Sequence, residues 1–213
     1  MQFHHIAVEG PSGVGKTAVV ERLAEQLDAT TALEDWGENP FLRPFYDGRA
    51  GAAFQAELFF LLSRYRQQQE LLQRQLFTQV TLCDYVFEKS RLFAYLNLDD
   101  SELMIYEKLY ALLVEGVPRP DLVIYLQAPT EVLMRRVRTR GRPEESRLSE
   151  EYLAEVNRAY NHYFFHYSAT PLLVVNTSDI DLAHSAEDLD DLRRQIQAMG
   201  RGTQYYVPRA SRS

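Results

Sequence analysis

The sequence has one cysteine, Cys83, among its 213 residues. A single thiol excludes an internal disulfide framework and is typical of proteins in a reducing compartment. No apolar run approaches the ~20 residues that a membrane-spanning helix needs, and no basic-then-apolar leader precedes the first apolar segment. We therefore expect a cytoplasmic protein with no membrane partner.

Positive charge is also scarce, because 23 Lys and Arg residues stand against 30 Asp and Glu residues. The resulting net charge of -7 makes general attraction to a nucleic-acid polymer or to an acidic membrane unexpected. An anionic ligand would therefore have to be held by a local basic site. The length suits one well-buried core and is too short for two large domains.

Short apolar runs alternate along the chain with longer stretches of helical period. The predicted strands are 3–8, 31–34, 79–85, 121–128 and 171–177. The main predicted helices are 16–27, 52–75, 100–115, 149–167 and 186–199, with an Arg-rich helix after the fourth strand. This order indicates an α/β fold with a five-stranded parallel sheet and helices on both faces. We expect one domain over residues 1–200 and a partly disordered C-terminal tail over 201–213.

Three glycines and a lysine stand between the first predicted strand and the first helix. The segment reads GPSGVGKT and fits G-x-x-x-x-G-K-[ST] in the context that makes this pattern credible. Glycines let backbone N–H groups converge on phosphate oxygens, while Lys16 would reach the β- and γ-phosphates and Thr17 would ligate Mg²⁺. The predicted phosphate-binding loop consists of Gly10, Pro11, Ser12, Gly13, Val14, Gly15, Lys16 and Thr17.

A phosphate-binding loop alone does not say what happens to the phosphate. A GTPase would show N-K-x-D after a late strand, whereas the last predicted strand here runs into NTSD. An apolar strand ending in adjacent acids, as in many ATPases, is also missing. These absences favour a kinase that phosphorylates a small molecule.

Two clusters indicate where an acceptor would bind. Glu34 ends the second predicted strand, where a carboxylate would point into the ligand crevice and could take the proton of an attacking hydroxyl. The alternative for Glu34 is a solvated loop acid. Glu57, Phe60 and Arg64 share one face of the long predicted helix. That face could bind a planar base, or it could be a core-facing stripe with polar ends.

A third cluster, MRRVRTRGRPEES, carries arginines after the fourth predicted strand. Arg136 and Arg140 share a helix face, and Arg142 follows a glycine. In an acidic protein this cluster suggests a movable lid over the transferring phosphoryl group, because guanidinium groups suit the charge that develops there. The alternative is a solvated basic helix paired with neighbouring glutamates.

Together these residues resemble the deoxynucleoside kinase family, and the bacterial members look most similar. The resemblance runs through EGPSGVGKT, NPFLRPFY, LFFLLSRYRQQ, FEKSRLFA and RVRTRGRPEE, which span nearly the whole chain. It implies transfer of the γ-phosphoryl group of ATP or GTP to the 5′-hydroxyl of a deoxynucleoside, with Mg²⁺. It also implies a homodimer, for which one stripe of the helix over 100–115 is a candidate interface.

Two other functions remain open at this point. A nucleoside-monophosphate kinase of the thymidylate-kinase type shares the fold, the loop and the lid, but it would need a basic site for the phosphate of the acceptor. A regulatory nucleotide-binding module would need no acceptor pocket.

The resemblance also implies roles for single residues. Glu34 matches the catalytic base, and Tyr46 and Glu145 match the pair that holds the sugar 3′-hydroxyl. Asp84 matches the acid that ends the third strand and helps Thr17 to organise Mg²⁺. The arginines that match lid residues contacting the donor phosphates and the 5′-oxygen region are Arg136, Arg140 and Arg142.

Near the 5′-hydroxyl, the sequence departs from the family pattern. The family's acid-Arg-Ser motif reads Asp84-Tyr85-Val86 here, so the arginine is missing. Lys89 and Arg91 are the two candidates for its role.

A second departure concerns the base. Glu57 stands where the family usually has a glutamine that reads the base edge, and Arg64 matches an arginine on the same side. An ionised carboxylate only accepts hydrogen bonds, so it could bind an exocyclic amine but could not donate to thymine O4. We therefore expect purine deoxynucleosides or deoxycytidine to be preferred over thymidine.

Overall fold

One parallel sheet carries the apolar runs of the chain, in a computed structural model that describes residues 2–74 and 80–207. The strands pair in the order β2-β3-β1-β4-β5-β6, and each pairing is parallel. Their bounds are β1 His5–Glu9, β2 Thr30–Ala32, β3 Thr81–Cys83, β4 Leu122–Gln127, β5 Leu172–Asn176 and β6 Thr203–Tyr206. The carboxyl ends of the strands therefore meet at one edge, where ligands bind in open α/β sheets.

Helices cover both faces of this sheet. Their bounds are α1 Lys16–Leu27, α2 Leu42–Tyr46, α3 Ala52–Arg74, α4 Lys89–Asn97, α5 Asp100–Val114, α6 Thr130–Arg140, α7 Glu150–Phe165 and α8 Ala186–Ala198. Along β1, Ile6 and Val8 pack in one core cluster with residues of α1 and α8, while Ala7 packs in a second with residues of α7. This alternation confirms the predicted α/β architecture.

The sheet has six strands, so the predicted number of five was wrong. Strand β6 lies in the segment expected to be a tail, and it pairs with β5 at the edge of the sheet. Thr203, Gln204 and Tyr205 are exposed. A strand at this exposed edge does not need apolar side chains, so its sequence, TQYY, lacks the apolar run that marks the central strands. The last six residues of the expected tail, 208–213, lie outside the described residues.

The long helices begin and end close to their predicted bounds. Helix α1 spans Lys16–Leu27 as predicted, whereas the predicted end of α3 at residue 75 lies outside the described residues. The short helices α2 and α4 were not predicted. Within the described parts of the chain, no helix is both long and apolar enough to cross a membrane.

A buried carboxylate at the end of β1 joins three parts of the fold. Glu9 is 0% exposed, and its Oε1 accepts hydrogen bonds from the Gly10 N–H at 2.9 Å and the Tyr160 hydroxyl at 3.0 Å. Its Oε2 accepts from the Val86 N–H at 2.9 Å. The start of the phosphate-binding loop is thereby fixed to the segment after β3 and to α7. The sequence analysis did not single out Glu9, although a carboxylate inside an apolar strand was a usable signal.

We expect Tyr160→Phe to lower the free energy of unfolding by about 2 kcal/mol, because it removes a hydrogen bond to a buried carboxylate. Urea denaturation of the variant and the wild type measures this difference. Tyr163→Phe, on the same helix, is the control and should change stability by less than about 0.5 kcal/mol, since Tyr163 makes ring contacts with Phe164 and Tyr167. Equal effects of the two variants would contradict the prediction.

Candidate active site

The predicted phosphate-binding loop connects β1 to α1 at the carboxyl edge of the sheet. Gly13 has φ +85°, and a Cβ there would overlap the carbonyl oxygen of Leu133 in α6, so this position requires glycine. The Lys16 ammonium folds back over the loop and donates to the carbonyl oxygens of Gly10 at 2.6 Å and Pro11 at 3.3 Å. The loop therefore packs directly against the helix that carries the lid arginines.

Asp84 connects the phosphate-binding loop to the acceptor side. The Thr17 hydroxyl donates to Asp84 Oδ2 at 2.7 Å, and the Glu34 N–H donates to Asp84 Oδ1 at 2.8 Å. A hydroxyl and a carboxylate side by side offer the oxygen ligands that Mg²⁺ prefers, since this ion takes one or two carboxylates together with waters and substrate phosphates. Thr17 and Asp84 thus fit the predicted Mg²⁺ site.

Glu34 lies two residues beyond β2, and its side chain is only 4% exposed. Its Oε1 accepts from Arg64 Nε at 2.6 Å and Nη2 at 2.5 Å, and its Oε2 accepts from Lys89 Nζ at 2.7 Å. Burial alone would raise the pKa of Glu34. The charges and hydrogen bonds of Arg64 and Lys89 outweigh burial and lower this pKa to about 2, so the carboxylate is ionised.

Of the two candidates for the role of the missing arginine, Lys89 lies beside Glu34. Its side chain is 1% exposed, and its ammonium lies 5.1 Å from the ring centroid of Trp36 and 5.8 Å from that of Phe93. Arg91 instead pairs with Glu107 at 2.8 Å on a partly exposed part of α4 and α5. Tyr85, at the position of the family's arginine, donates to Gln67 of α3 at 2.9 Å.

An aromatic cavity is lined in part by Arg64, the partner of Glu34. Its aromatic lining consists of Trp36, Phe45, Tyr46, Phe60, Phe93 and Tyr152. Glu57, 5% exposed, also lines this cavity. The cavity has flat apolar walls with a few polar groups, which is the usual character of a site for a planar ligand. Glu57, Phe60 and Arg64, predicted to share a helix face, all line it.

Tyr46 and Glu145, the predicted pair for the sugar, come from separate elements. Tyr46 ends α2, and Glu145 is a buried residue in the 3-10 turn that follows α6. Burial and then the charge of Glu145 raise the pKa of Tyr46. The Glu145 carboxylate also accepts from Arg140, whose Nη2 lies 2.5 Å from Oε1 and 2.6 Å from Oε2 and whose Nε lies 3.2 Å from Oε2.

The three predicted lid arginines line one cleft together with Gly13, Gly15 and Thr17 of the phosphate-binding loop. Arg136 donates to Thr177 Oγ1 at 3.0 Å and to the Thr177 carbonyl oxygen at 2.6 Å. Arg140 pairs with Glu145, and the Arg142 side chain is exposed. The structure therefore places the arginines at the expected cleft, with two of the three already bound to protein groups.

Sequence reasoning assigned no role to several residues around the site, among them Lys89, Asn97, Tyr152 and Thr177. Only Lys89 carried a signal, as one of two basic residues after the third strand. The others contact the site through packing between elements far apart in the chain.

A parallel sheet with a phosphate-binding loop after β1, an Arg-rich helix facing that loop and a buried carboxylate beside an aromatic cavity define a P-loop phosphotransferase. The family profile described as "Deoxynucleoside kinase" matches residues 6–199. The chain therefore belongs to the deoxynucleoside kinase family, as the sequence analysis predicted.

Individual relatives agree with this membership. The chain is 34% identical to the deoxyguanosine kinase of Bacillus subtilis (strain 168) over 89% of this chain and 92% of that protein. It is 28% identical to the deoxyadenosine/deoxycytidine kinase of the same organism, over 93% and 97%. A solved structure of deoxyadenosine kinase from M. mycoides with bound dCTP shares the fold, with a TM-score of 0.75 and 22% identity over 91% of this chain and 99% of that chain.

We expect Lys89→Met to lower kcat by roughly tenfold to a hundredfold, because Glu34 loses one of the two cations that position it. The acid limb of the pH profile of kcat/KM, which reports ionisations of the free enzyme, should also move up from about 2, since one charge that opposes the effect of burial is gone. The measurement is kcat and kcat/KM as functions of pH, with thermal unfolding to check that the variant folds.

Two variants complete this test. Lys89→Arg keeps the charge and should restore the low acid limb. Arg91→Met removes the other candidate cation, two residues further along α4, and should leave the profile unchanged. A larger effect of Arg91→Met than of Lys89→Met would assign the role of the missing arginine to Arg91 instead.

Proposed function

We propose that this protein transfers the γ-phosphoryl group of ATP or GTP to the 5′-hydroxyl of a deoxynucleoside, preferring purine deoxynucleosides or deoxycytidine to thymidine. The observation that carries the proposal is the position of Glu34. Its ionised carboxylate pairs with Arg64, which lines the aromatic cavity, and its backbone N–H donates to Asp84, which also binds Thr17 of the phosphate-binding loop. Relatives named deoxyguanosine kinase and deoxyadenosine/deoxycytidine kinase support the choice of bases.

In the proposed reaction the acceptor 5′-oxygen attacks the γ-phosphorus, and the bond to the β–γ bridging oxygen breaks. The hydroxyl proton passes to Glu34, and the nucleoside diphosphate leaves. A low pKa makes Glu34 a weak base. Phosphoryl transfer tolerates this, because its catalysis depends almost entirely on positioning and electrostatic stabilisation.

On the donor side, Thr17 and Asp84 would hold Mg²⁺, which supplies positive charge to the donor phosphates when bound. The Lys16 ammonium would exchange the Gly10 and Pro11 carbonyl oxygens for phosphate oxygens. Arg136 is hydrogen-bonded to Thr177, and Arg140 is paired with Glu145. To contact the phosphates, each arginine would have to break this interaction or bind both groups at once. These roles follow the family pattern and the common cleft that the residues line.

The cavity supports a nucleoside acceptor better than either alternative. A nucleoside monophosphate would bring a phosphate that needs its own cation. Among the described residues that line the cavity, Arg64 is the one cation, and it pairs with Glu34. A regulatory module would have no need of an aromatic cavity beside a buried carboxylate.

The first experiment measures initial rates with ATP and Mg²⁺ against four deoxynucleosides and their monophosphates. We expect turnover of deoxyguanosine, deoxyadenosine or deoxycytidine, weaker turnover of thymidine, and inert monophosphates. Glu34→Gln should lower kcat by about 10²–10⁴-fold, because an amide cannot take the proton. Calorimetric titration with ATP should show donor binding retained in this variant.

Other outcomes of this experiment would contradict the proposal. Turnover of monophosphates alone would assign the protein to the nucleoside-monophosphate kinases. Binding of ATP without turnover of any acceptor would favour the regulatory module. Normal turnover by Glu34→Gln would show that Glu34 is not the catalytic base.

We also propose that the protein is a cytoplasmic homodimer. An apolar stripe lies exposed on the outer face of α5, formed by Met104, Ile105, Leu109 and Leu112, of which Leu112 is 77% exposed. Helices α3 and α4 contact α5, and each carries a further exposed apolar residue, Leu62 on α3 and Tyr95 on α4. A stripe of this kind suits burial against the same stripe of a second copy.

We expect Leu112→Asp to convert the dimer to a monomer, because it places a charge in the proposed interface. Size-exclusion chromatography with light scattering gives the mass. Phe165→Asp is the matched control, since Phe165 is 76% exposed at the end of α7, and this variant should remain dimeric. A wild type that is monomeric at micromolar concentration, or a dimer that survives Leu112→Asp, would refute this interface.

A further inference from the structure

One carboxyl oxygen of Glu57 is hydrogen-bonded to another side chain of the protein, and the other has no hydrogen-bond partner among the described residues. Its Oε1 accepts a hydrogen bond from Asn97 Nδ2 at 2.8 Å. The Tyr152 hydroxyl donates to Asn97 Oδ1 at 3.0 Å, which turns the NH₂ group of the amide toward Glu57. The carboxyl group is thus held in place from α4 and α7, two elements other than its own helix.

The second oxygen, Glu57 Oε2, is buried and has no hydrogen-bond partner among the described residues. A buried polar atom without a partner is unfavourable and is rare in folded proteins. Glu57 lines the aromatic cavity together with Phe60 and Trp36, so the atom lies where the base of an acceptor would be recognised. We therefore treat Oε2 as a ligand-binding atom.

Charged and titratable groups face Glu57 from several elements. Arg64 of α3 and Lys89 of α4 lower the pKa of Glu57, and both are paired with Glu34, whose charge raises it. The charge of Glu57 in turn raises the pKa of Tyr46 of α2, Tyr106 of α5 and Tyr152 of α7. Burial outweighs the Asn97 hydrogen bond and the Arg64 charge and raises the pKa of Glu57 to about 7.

The two forms of a carboxyl group match different base edges. A carboxylate accepts two hydrogen bonds side by side, here at Oε2 and at the lone pair of Oε1 that Asn97 does not use, which fits the adjacent N1–H and N2–H groups of guanine. A carboxylic acid donates one and accepts one, which fits a ring nitrogen beside an exocyclic amine, as in adenine and cytosine. Against adenine or cytosine, a carboxylate would keep the bond from the amine but would face the lone pair of the ring nitrogen.

We propose that Glu57 selects the base by its protonation state, binding guanine as the carboxylate and adenine or cytosine as the carboxylic acid. The proposal rests on the proposed function and specifies the substrate at the same site. The kcat/KM for deoxyguanosine should therefore rise relative to those for deoxyadenosine and deoxycytidine as pH rises. Glutamine at this position would have the acid's pattern of one donor and one acceptor at every pH.

The test compares kcat/KM for deoxyguanosine and deoxyadenosine from about pH 6 to about pH 8, because this parameter reports ionisations of the free enzyme. In the wild type the ratio should rise by up to about tenfold per pH unit across this whole range, because it follows the ratio of carboxylate to carboxylic acid at Glu57. In Glu57→Gln the ratio should be independent of pH and shifted toward deoxyadenosine. Taking the ratio cancels titrations that affect both substrates equally, such as those of Lys16 or the donor phosphates.

Glu155→Gln is the control, since it removes a negative charge from an exposed position on α7 and should keep the wild-type pH dependence. Binding gives a readout that does not depend on turnover. Calorimetry near neutral pH in two buffers of different ionisation enthalpy should show proton uptake with deoxyadenosine and proton release with deoxyguanosine. Glu57→Gln should show neither.

A wild-type ratio that stays flat, or proton exchange of the same sign for both nucleosides, would overturn the role of Glu57 while leaving the kinase intact. A pH-dependent ratio that persists in Glu57→Gln would do the same. Failure to phosphorylate any deoxynucleoside would overturn the proposed function itself, and with it this inference.

Discussion

Three buried charges, those of Glu34, Arg64 and Lys89, hold the acceptor side of the site together. The carboxylate lies within 2.7 Å of both cations, and each of its oxygens is used. Taking charges out of water is unfavourable, and the attraction within such a group offsets that penalty only when the geometry is good. Removing one partner leaves an uncompensated charge and costs about 3–5 kcal/mol. The segment after β2, helix α3 and helix α4 are therefore fixed to one another where the acceptor hydroxyl is proposed to lie.

The same three charges set the electrostatics of the site, because two cations and one anion leave one net positive charge. A transferring phosphoryl group is anionic, and a fixed positive charge in a water-poor site favours it. Glu57 lines the aromatic cavity together with Arg64 and is coupled to this group, since the charges of Arg64, Glu34 and Lys89 all influence its pKa. Its neutral form leaves the net positive charge in place, whereas its ionised form cancels it. Under the proposed function, base recognition and phosphoryl stabilisation are therefore electrostatically coupled.

Sequence reasoning succeeded where the determining contacts are local. The glycine and lysine spacing predicted the loop and the start of α1, and helical periodicity predicted that Glu57 and Arg64 share a face. It could not choose between Lys89 and Arg91, because Lys89 meets Glu34 across 55 residues of chain. The Asn97–Tyr152 bond behind Glu57 also joins distant elements, and neither residue type signals it. Strand β6 was missed because an exposed edge strand carries no apolar run.

One carboxylate, in the turn after α6, connects the cleft at the phosphate-binding loop with the aromatic cavity. Glu145 is bound by Arg140, which lines the cleft with the phosphate-binding loop, while its charge acts on Tyr46 in the aromatic cavity. A further ion pair, Arg147 with Asp47, connects the segment after the lid to the end of α2. Under the proposed function, donor phosphates compete with Glu145 for Arg140, and a released Glu145 is free to accept from the sugar 3′-hydroxyl. Donor and acceptor would then favour each other's binding, because each takes one member of the same ion pair.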